Sequence, residues 1–226
     1  MPWTTFDEKL PVLLGQYSFG PGIANALAVG IDGGIAVVSP PYRASEATFA
    51  ELARYGPVKA LVASNAFHYM GMREWKARFP DAALYAPAQS IARVQRKSGL
   101  APILPLAEVT ACADVEFVDM PHYKTGEVLV KMNTARGRAW YVTDCVLNLE
   151  TIPGPLIARA VFRLSRSAPG LRFNNVAPLF MVKDKPALKR WLAAEAARDP
   201  PRYLLPAHGP VAECAQGGET LRRLFA

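Results

Sequence analysis

The chain has 226 residues, 51% of them hydrophobic and 20% charged. That composition is enough to fill a sizeable core, fits one domain over residues 1–226, and excludes a disordered segment. The net charge of +7 favours an anionic ligand, but no Lys/Arg run or aromatic RNA-binding motif accompanies it, so nucleic acid is not an expected partner.

Three cysteines, Cys112, Cys145 and Cys214, are scattered without a CxxC pair. This argues against a disulfide framework and for a reducing cytoplasm. The opening MPWTTFDEKL carries acids at positions 7 and 8 and no apolar core, so it does not read as a signal peptide. The longest apolar stretch, Ile23 to Val38, is broken by Asp32 and Gly33-Gly34, short of the ~20 residues a membrane span needs, and no membrane association is expected.

In chain order, Leu10 to Phe19 reads as a strand. Ala24 to Val29 and Ile35 to Val38 read as a hairpin around Asp32-Gly33, closed by Pro40-Pro41. Ser45 is a helix N-cap with Glu46 in the first turn, and Phe49, Leu52 and Ala53 follow at helical spacing until Gly56-Pro57. Val58 to Ala63 is a strand, Met72 to Phe79 a short helix, Leu84 to Ala86 a strand, and Ser90 to Lys97 a basic helix stopped by Gly99. Val115 to Val118 is a strand pointing at His122. Val128 to Met132 and Ala139 to Thr143 form a hairpin with a longer loop, Asn133 to Gly137.

Leu156 to Arg166 is amphipathic, with Arg159, Arg163 and Arg166 on one face. Such a face reads as solvated, or as an anion-contacting wall or lid. Lys185 to Arg198 is a clear helix, Tyr203 to Leu205 a strand, and Ala215 to Phe225 a terminal helix. Strands alternate with helices through the first half and a hairpin returns in the second. Two sheets with helices outside fit that order better than one open sheet.

The chain has only three histidines, and each follows a strand-like run: His68 after Leu61-Val62-Ala63, His122 in MPHYKTGE, and His208 in LPAHGP. Asp144 ends another such run. Histidines and an acid at strand ends are where α/β proteins place chemistry. These four therefore read as one metal site, or as the remnant of one. Cys145, next to Asp144, points to the opposite side of its strand and reads as a small buried residue. Tyr69 and Tyr123 each follow a site histidine, so they are core residues or hydroxyl donors to an oxyanion. Trp75 and Trp191 read as core.

Over about residues 10 to 212 these motifs resemble the metallo-β-lactamase superfamily. NALAVGIDGGIAVVSPP fits its N-terminal hairpin, with Ser39 where the family usually has an acid. Aligning His68 to the last histidine of HxHxDH puts Ala63 and Asn65 at the first two histidines and Phe67 at the aspartate, with Gly71 following. PHYKTGE resembles the GHTPGS turn and supplies His122, VTDC resembles the next strand end and supplies Asp144, and AHGP resembles the late HG and supplies His208. The motif also resembles a branch of the superfamily reading roughly P/S-N-x-x-H.

The resemblance implies an α+β, αββα sandwich of two mixed β-sheets with helices on the outer faces. It implies a reduced, mononuclear site for one divalent metal such as Zn, held by His68, Asp144 and His208. His122 is the fourth ligand or orients a bound water, and Asp144 and His122 are the catalytic groups. Three mixed N and O ligands with an open position suit a catalytic Zn²⁺, and Asn65 suits an outer hydrogen-bond donor. The implied activity is a metal-dependent hydrolase acting on an ester, lactone or phosphoester of a small, anionic molecule. The alternative is a pseudoenzyme without metal that serves as a binding or structural module, since Ala63, Asn65 and Phe67 replace family ligands. A nucleic-acid-processing enzyme ranks last, because those usually carry the full HxHxDH.

Overall fold

The computed structural model describes residues 2–19, 22–214 and 218–226. In chain order its elements are β1 (Trp3–Asp7), β2 (Val12–Phe19), β3 (Gly22–Ile31), β4 (Gly34–Val38), α1 (Glu46–Leu52), β5 (Val58–Val62), α2 (Met72–Arg78), β6 (Ala83–Ala86), α3 (Ile91–Ser98) and β7 (Leu104–Pro105). The second half adds β8 (Val115–Asp119), β9 (Val128–Thr134), β10 (Gly137–Val142), β11 (Val146–Leu149), α4 (Leu156–Leu164), β12 (Gly170–Phe173), α5 (Lys185–Arg198), β13 (Tyr203–Pro206), β14 (Ala212–Glu213) and α6 (Gly218–Phe225). The terminal helix is thus described from Gly218; residues 215–217 of the expected helix lie outside the described residues.

One sheet has the order β1-β2-β3-β4-β5-β6-β7, and the facing sheet has the order β14-β13-β10-β9-β8, with β11 and β12 forming a separate ribbon. The first sheet is antiparallel up to β4 and parallel from β4 to β7. In the second, β10 runs parallel to β13 and antiparallel to β9. Both sheets are mixed, as expected.

The reason the sheets stack is visible in the period of two along each strand. Leu27 and Val29 of β3, Val38 of β4 and Val62 of β5 meet Val128 and Val130 of β9, Tyr141 of β10 and Leu205 of β13 in one core between the sheets. The alternate residues Ala26, Ala28, Ile35, Val37 and Leu61 face outwards under Phe49 and Leu52 of α1 and Trp75 of α2. On the other side, Leu129, Trp140 and Leu204 face Leu188 and Leu192 of α5. Strands buried on both faces read as nearly continuous apolar runs, which is why their positions show in the sequence.

Trp75 is fully buried and Trp191 half-buried against the outer core. The Val128–Thr134 and Gly137–Val142 strands are longer than expected. Thr134 pairs with Gly137, so only Ala135 and Arg136 remain in the loop. The Thr134 hydroxyl donates to the Gly137 carbonyl at 2.6 Å and accepts from the Arg136 N–H, and Gly137 supplies φ 116°. Strands β1, β7, β11, β12 and β14 have no counterpart among the runs read from the sequence. They are two to five residues long and rest on pairing to a neighbour more than on their own pattern.

One polar residue interrupts the outer face of β9. Lys131 is 1% exposed, with its Nζ 2.5 Å from Glu195 of α5 and 5.5 Å from the Trp140 ring centroid. A buried ammonium is tolerable only with such partners.

Candidate metal centre

The site forms where strands of both sheets end at the same level. Val142 of β10 pairs with Pro206 of β13 in parallel register, so Asp144 and His208, each two residues further on, emerge side by side. The third residue arrives from the other sheet. After β5, the Ser64 carbonyl accepts from the Val128 N–H of β9 at 2.9 Å, pulling the Asn65–His68 turn across the end of the sandwich. Gly71 then lets that turn lie against the Pro40-Pro41 segment, because a Cβ there would sit 2.2 Å from the Pro40 oxygen. Gly209 does the same beside His208, with φ 114° and no room for a Cβ against the Asn148 carbonyl.

His68, Asp144 and His208 each present a ligand atom, and these lie within 4.8 Å of one another. His208 Nε2 is 3.0 Å from Asp144 Oδ1 and His68 Nε2 is 3.5 Å from Asp144 Oδ2. Their side chains are only 10 to 16% exposed. On its far side, His208 Nδ1 lies 3.0 Å from the Ile23 carbonyl. A carbonyl and a carboxylate both only accept, so Nδ1 donates to Ile23 and Nε2 donates to Asp144 while the ring is protonated; Nδ1 keeps its proton when a metal takes Nε2. Outer hydrogen bonds of this kind fix the tautomer of metal-binding histidines. Tyr17 reaches His68 Nδ1 with its hydroxyl at 3.5 Å.

Asn65 joins the parts. It is fully buried. Its Oδ1 accepts from the Phe67 and His68 N–H groups at 2.8 and 3.1 Å, which shapes the turn carrying His68. Its Nδ2 donates to Asp144 Oδ2 at 2.7 Å and to Glu127 Oε2 at 2.9 Å. Glu127, also fully buried, accepts the Asp144 N–H on Oε1 at 2.6 Å, and Asn174 donates to the Asp144 carbonyl at 2.9 Å. Asp144 is therefore held from its amide, its carbonyl and its carboxylate.

The charges follow from this packing. Burial alone would raise Asp144, but the imidazoles of His68 and His208 outweigh it and hold the carboxyl well below the usual range. Burial and the neighbouring Asp144 charge push Glu127 well up. Burial pulls His208 down, yet its hydrogen bond to Asp144 wins and leaves it raised. Burial, with the Asp144 charge, keeps Tyr17 a neutral phenol.

The structure does not bring His122, expected as ligand or catalytic residue, into this group. His122 is exposed, has φ 66°, and is not a member of the cluster. Its carbonyl is held by the Lys183 N–H at 2.6 Å, and the adjacent Tyr123 pairs with Val182 and turns into the core. Alternation at that bridge sends His122 outwards. Tyr123 is thus a core residue, and the phenol near the histidines is Tyr17. Cys145 is buried in the outer core, as expected. Phe67 is 41% exposed, with the Arg93 guanidinium 4.8 Å from its ring centroid, so it adds no ligand. Sequence reasoning missed Tyr17, Glu127 and Asn174. Of these, Glu127 left a signal: a carboxylate directly before a strand buried on both faces.

Two histidine nitrogens and one carboxylate, converging and oriented from behind, suit a borderline divalent ion such as Zn²⁺. No family model matches the sequence, and neither does any curated protein sequence. Solved structures do match. A metallo-β-lactamase from Pontibacter korlensis superposes with a TM-score of 0.61 at 16% identity, covering 99% of this chain and 98% of its own. FIM-1 from Pseudomonas aeruginosa, a metallo-β-lactamase solved in its mono-zinc form, gives 0.61 at 15% identity, covering 100% and 95%. The flavodiiron protein from Giardia intestinalis gives 0.62 at 14%, covering 98% of this chain and 59% of its own. The chain therefore has the metallo-β-lactamase fold.

Proposed function

We propose that the protein is a metal-dependent hydrolase of the metallo-β-lactamase fold with a mononuclear site. His68, Asp144 and His208 would hold one divalent metal, with Zn the best fit to the donor set. The observation that carries this is the convergence of one ligand atom each from His68, Asp144 and His208 within 4.8 Å of one another. His208 Nδ1 is committed to the Ile23 carbonyl, so Nε2 is the atom a metal would take in place of its proton. A bound metal in such a site polarises a substrate carbonyl or phosphoryl oxygen and acidifies a bound water. The chain's own residues orient the ligands through Asn65, Glu127 and Asn174 and keep a neutral Tyr17 hydroxyl beside His68. The substrate class that fits is a small ester, lactone or phosphoester, and the net charge of +7 favours an anionic one. All three cysteines are free, which supports a reducing, cytoplasmic compartment.

A second reading has its own observation. Both Asp144 oxygens already have partners within the protein, from His68, His208 and Asn65, so the cluster is satisfied as a hydrogen-bonded network, as in a pseudoenzyme. Elemental analysis of purified, zinc-supplemented protein and melting with and without chelator decide between them. Bound metal stabilises by mass action, by about 2.7 kcal/mol at a hundredfold excess over Kd. The hydrolase reading expects one equivalent of metal and a lower melting point in chelator. Absence of metal, with melting unaffected by chelator, overturns it.

A further inference from the structure

Helix α4 has no buried residue. Ala158 and Phe162 are half-buried, while Leu156, Ile157 and Leu164 are 80, 80 and 85% exposed and Val161 is 43% exposed. At helical spacing these four large aliphatics share one side, and Arg159 and Arg163 flank them. In water such a face is unfavourable, so it exists to meet something apolar.

The charge around it says what. From Thr151 to Lys183 the chain has no acidic residue and five basic ones: Arg159, Arg163, Arg166, Arg172 and Lys183. The same stretch exposes Leu179 and Phe180, and a hydrogen bond from the Asn175 N–H to the Ser167 hydroxyl at 2.8 Å ties its two arms together. A second copy meeting this face across a twofold axis would bring like charges together. An apolar face bordered by arginines instead matches a surface that is apolar inside and anionic at its rim.

We infer that α4 docks the protein onto the surface of an anionic lipid bilayer, lying in the headgroup layer with Leu156, Ile157, Val161 and Leu164 buried in it. No helix among the described residues is long and apolar enough to cross a membrane, and a helix lying in the surface needs no such length. The docking element is anchored next to the candidate metal centre: β11 starts two residues after Asp144, and Asn174, just past β12, holds the Asp144 carbonyl. The inference stands whether or not the centre binds metal.

The test is flotation of the full chain with vesicles of phosphatidylcholine alone or mixed with phosphatidylglycerol, at low and high salt. The protein should float with the mixed vesicles only, and less so as salt rises. The pair Leu156→Ser and Leu164→Ser should lower partitioning on the order of tenfold or more, and Arg159→Gln should lower it about fivefold. All three positions are exposed, and circular dichroism of each variant verifies folding. No flotation at low salt, equal flotation with neutral vesicles, or serine variants that float unchanged would each overturn the inference. So would sedimentation showing a dimer that the serine pair dissolves, with no vesicle binding.

Discussion

Replacing Asn65 by leucine, a side chain of similar size that cannot hydrogen bond, tests whether one buried amide organises the centre. Four hydrogen bonds are lost: two from backbone N–H groups of Phe67 and His68 and two to the carboxylates of Asp144 and Glu127. Neutral bonds contribute about 1 kcal/mol and bonds to charged groups about 1.5–3 kcal/mol, for a sum of about 5–8 kcal/mol. Glu127 is pushed towards its neutral form by burial, which relieves part of the loss, so about 4–6 kcal/mol is expected. For a chain of this size that lowers the melting point by about 10–20 °C. Because Asp144 and the His68 turn lose their orienting partner, zinc affinity by calorimetric titration should fall about 10–100-fold. Asn65→Asp keeps the acceptor for the turn but sets a third carboxylate beside Asp144 and Glu127, so its loss should grow as pH rises above about 4. An Asn65→Leu protein that loses under about 2 kcal/mol and keeps its zinc affinity refutes the positioning argument.

The remaining predictions concern pH, backbone and core. In chelator, Asp144 contributes stability above the ordinary carboxylate range, near pH 4, and loses it as pH falls through its depressed value. His208 and Glu127 are both raised, so their contributions are present below about pH 6.5 and pH 4 and are lost as pH rises through their folded values. Melting in chelator should therefore decline from mildly acidic to alkaline pH, while zinc affinity rises over the same range as the imidazole gives up its proton; a parallel rise in both contradicts this. Gly209→Ala puts a Cβ into the Asn148 carbonyl at positive φ, and should cost about 2–4 kcal/mol in urea unfolding and weaken zinc binding. Glu195→Ala removes the nearest partner of the buried Lys131 ammonium and leaves it Glu116 at 3.6 Å and Asp199 at 3.9 Å, and should cost about 1.5–3 kcal/mol, whereas Lys131→Met with Glu195→Leu should be nearly neutral.

The fold was legible where its physics is local or repetitive. Runs such as Ala24 to Val29 and Val128 to Met132 show strands buried on both faces, the Asp32-Gly33 turn marks a hairpin, and Ser45 caps α1 as read, accepting from the Thr48 N–H. Three of the four residues chosen for the centre, His68, Asp144 and His208, follow strand ends and do converge. What the linear pattern could not supply was direction and partnership. His122 also follows a strand, but a positive φ and the Lys183 contact turn it outwards. Tyr17, Glu127 and Asn174 lie on no motif, because their roles come from hydrogen bonds to residues that are distant in sequence. Composition, periodicity and strand-end chemistry determined the architecture and named the candidates. Only tertiary packing decided which of them meet, since register between β10 and β13 and the crossing of the Asn65 turn are set by pairings no single segment encodes.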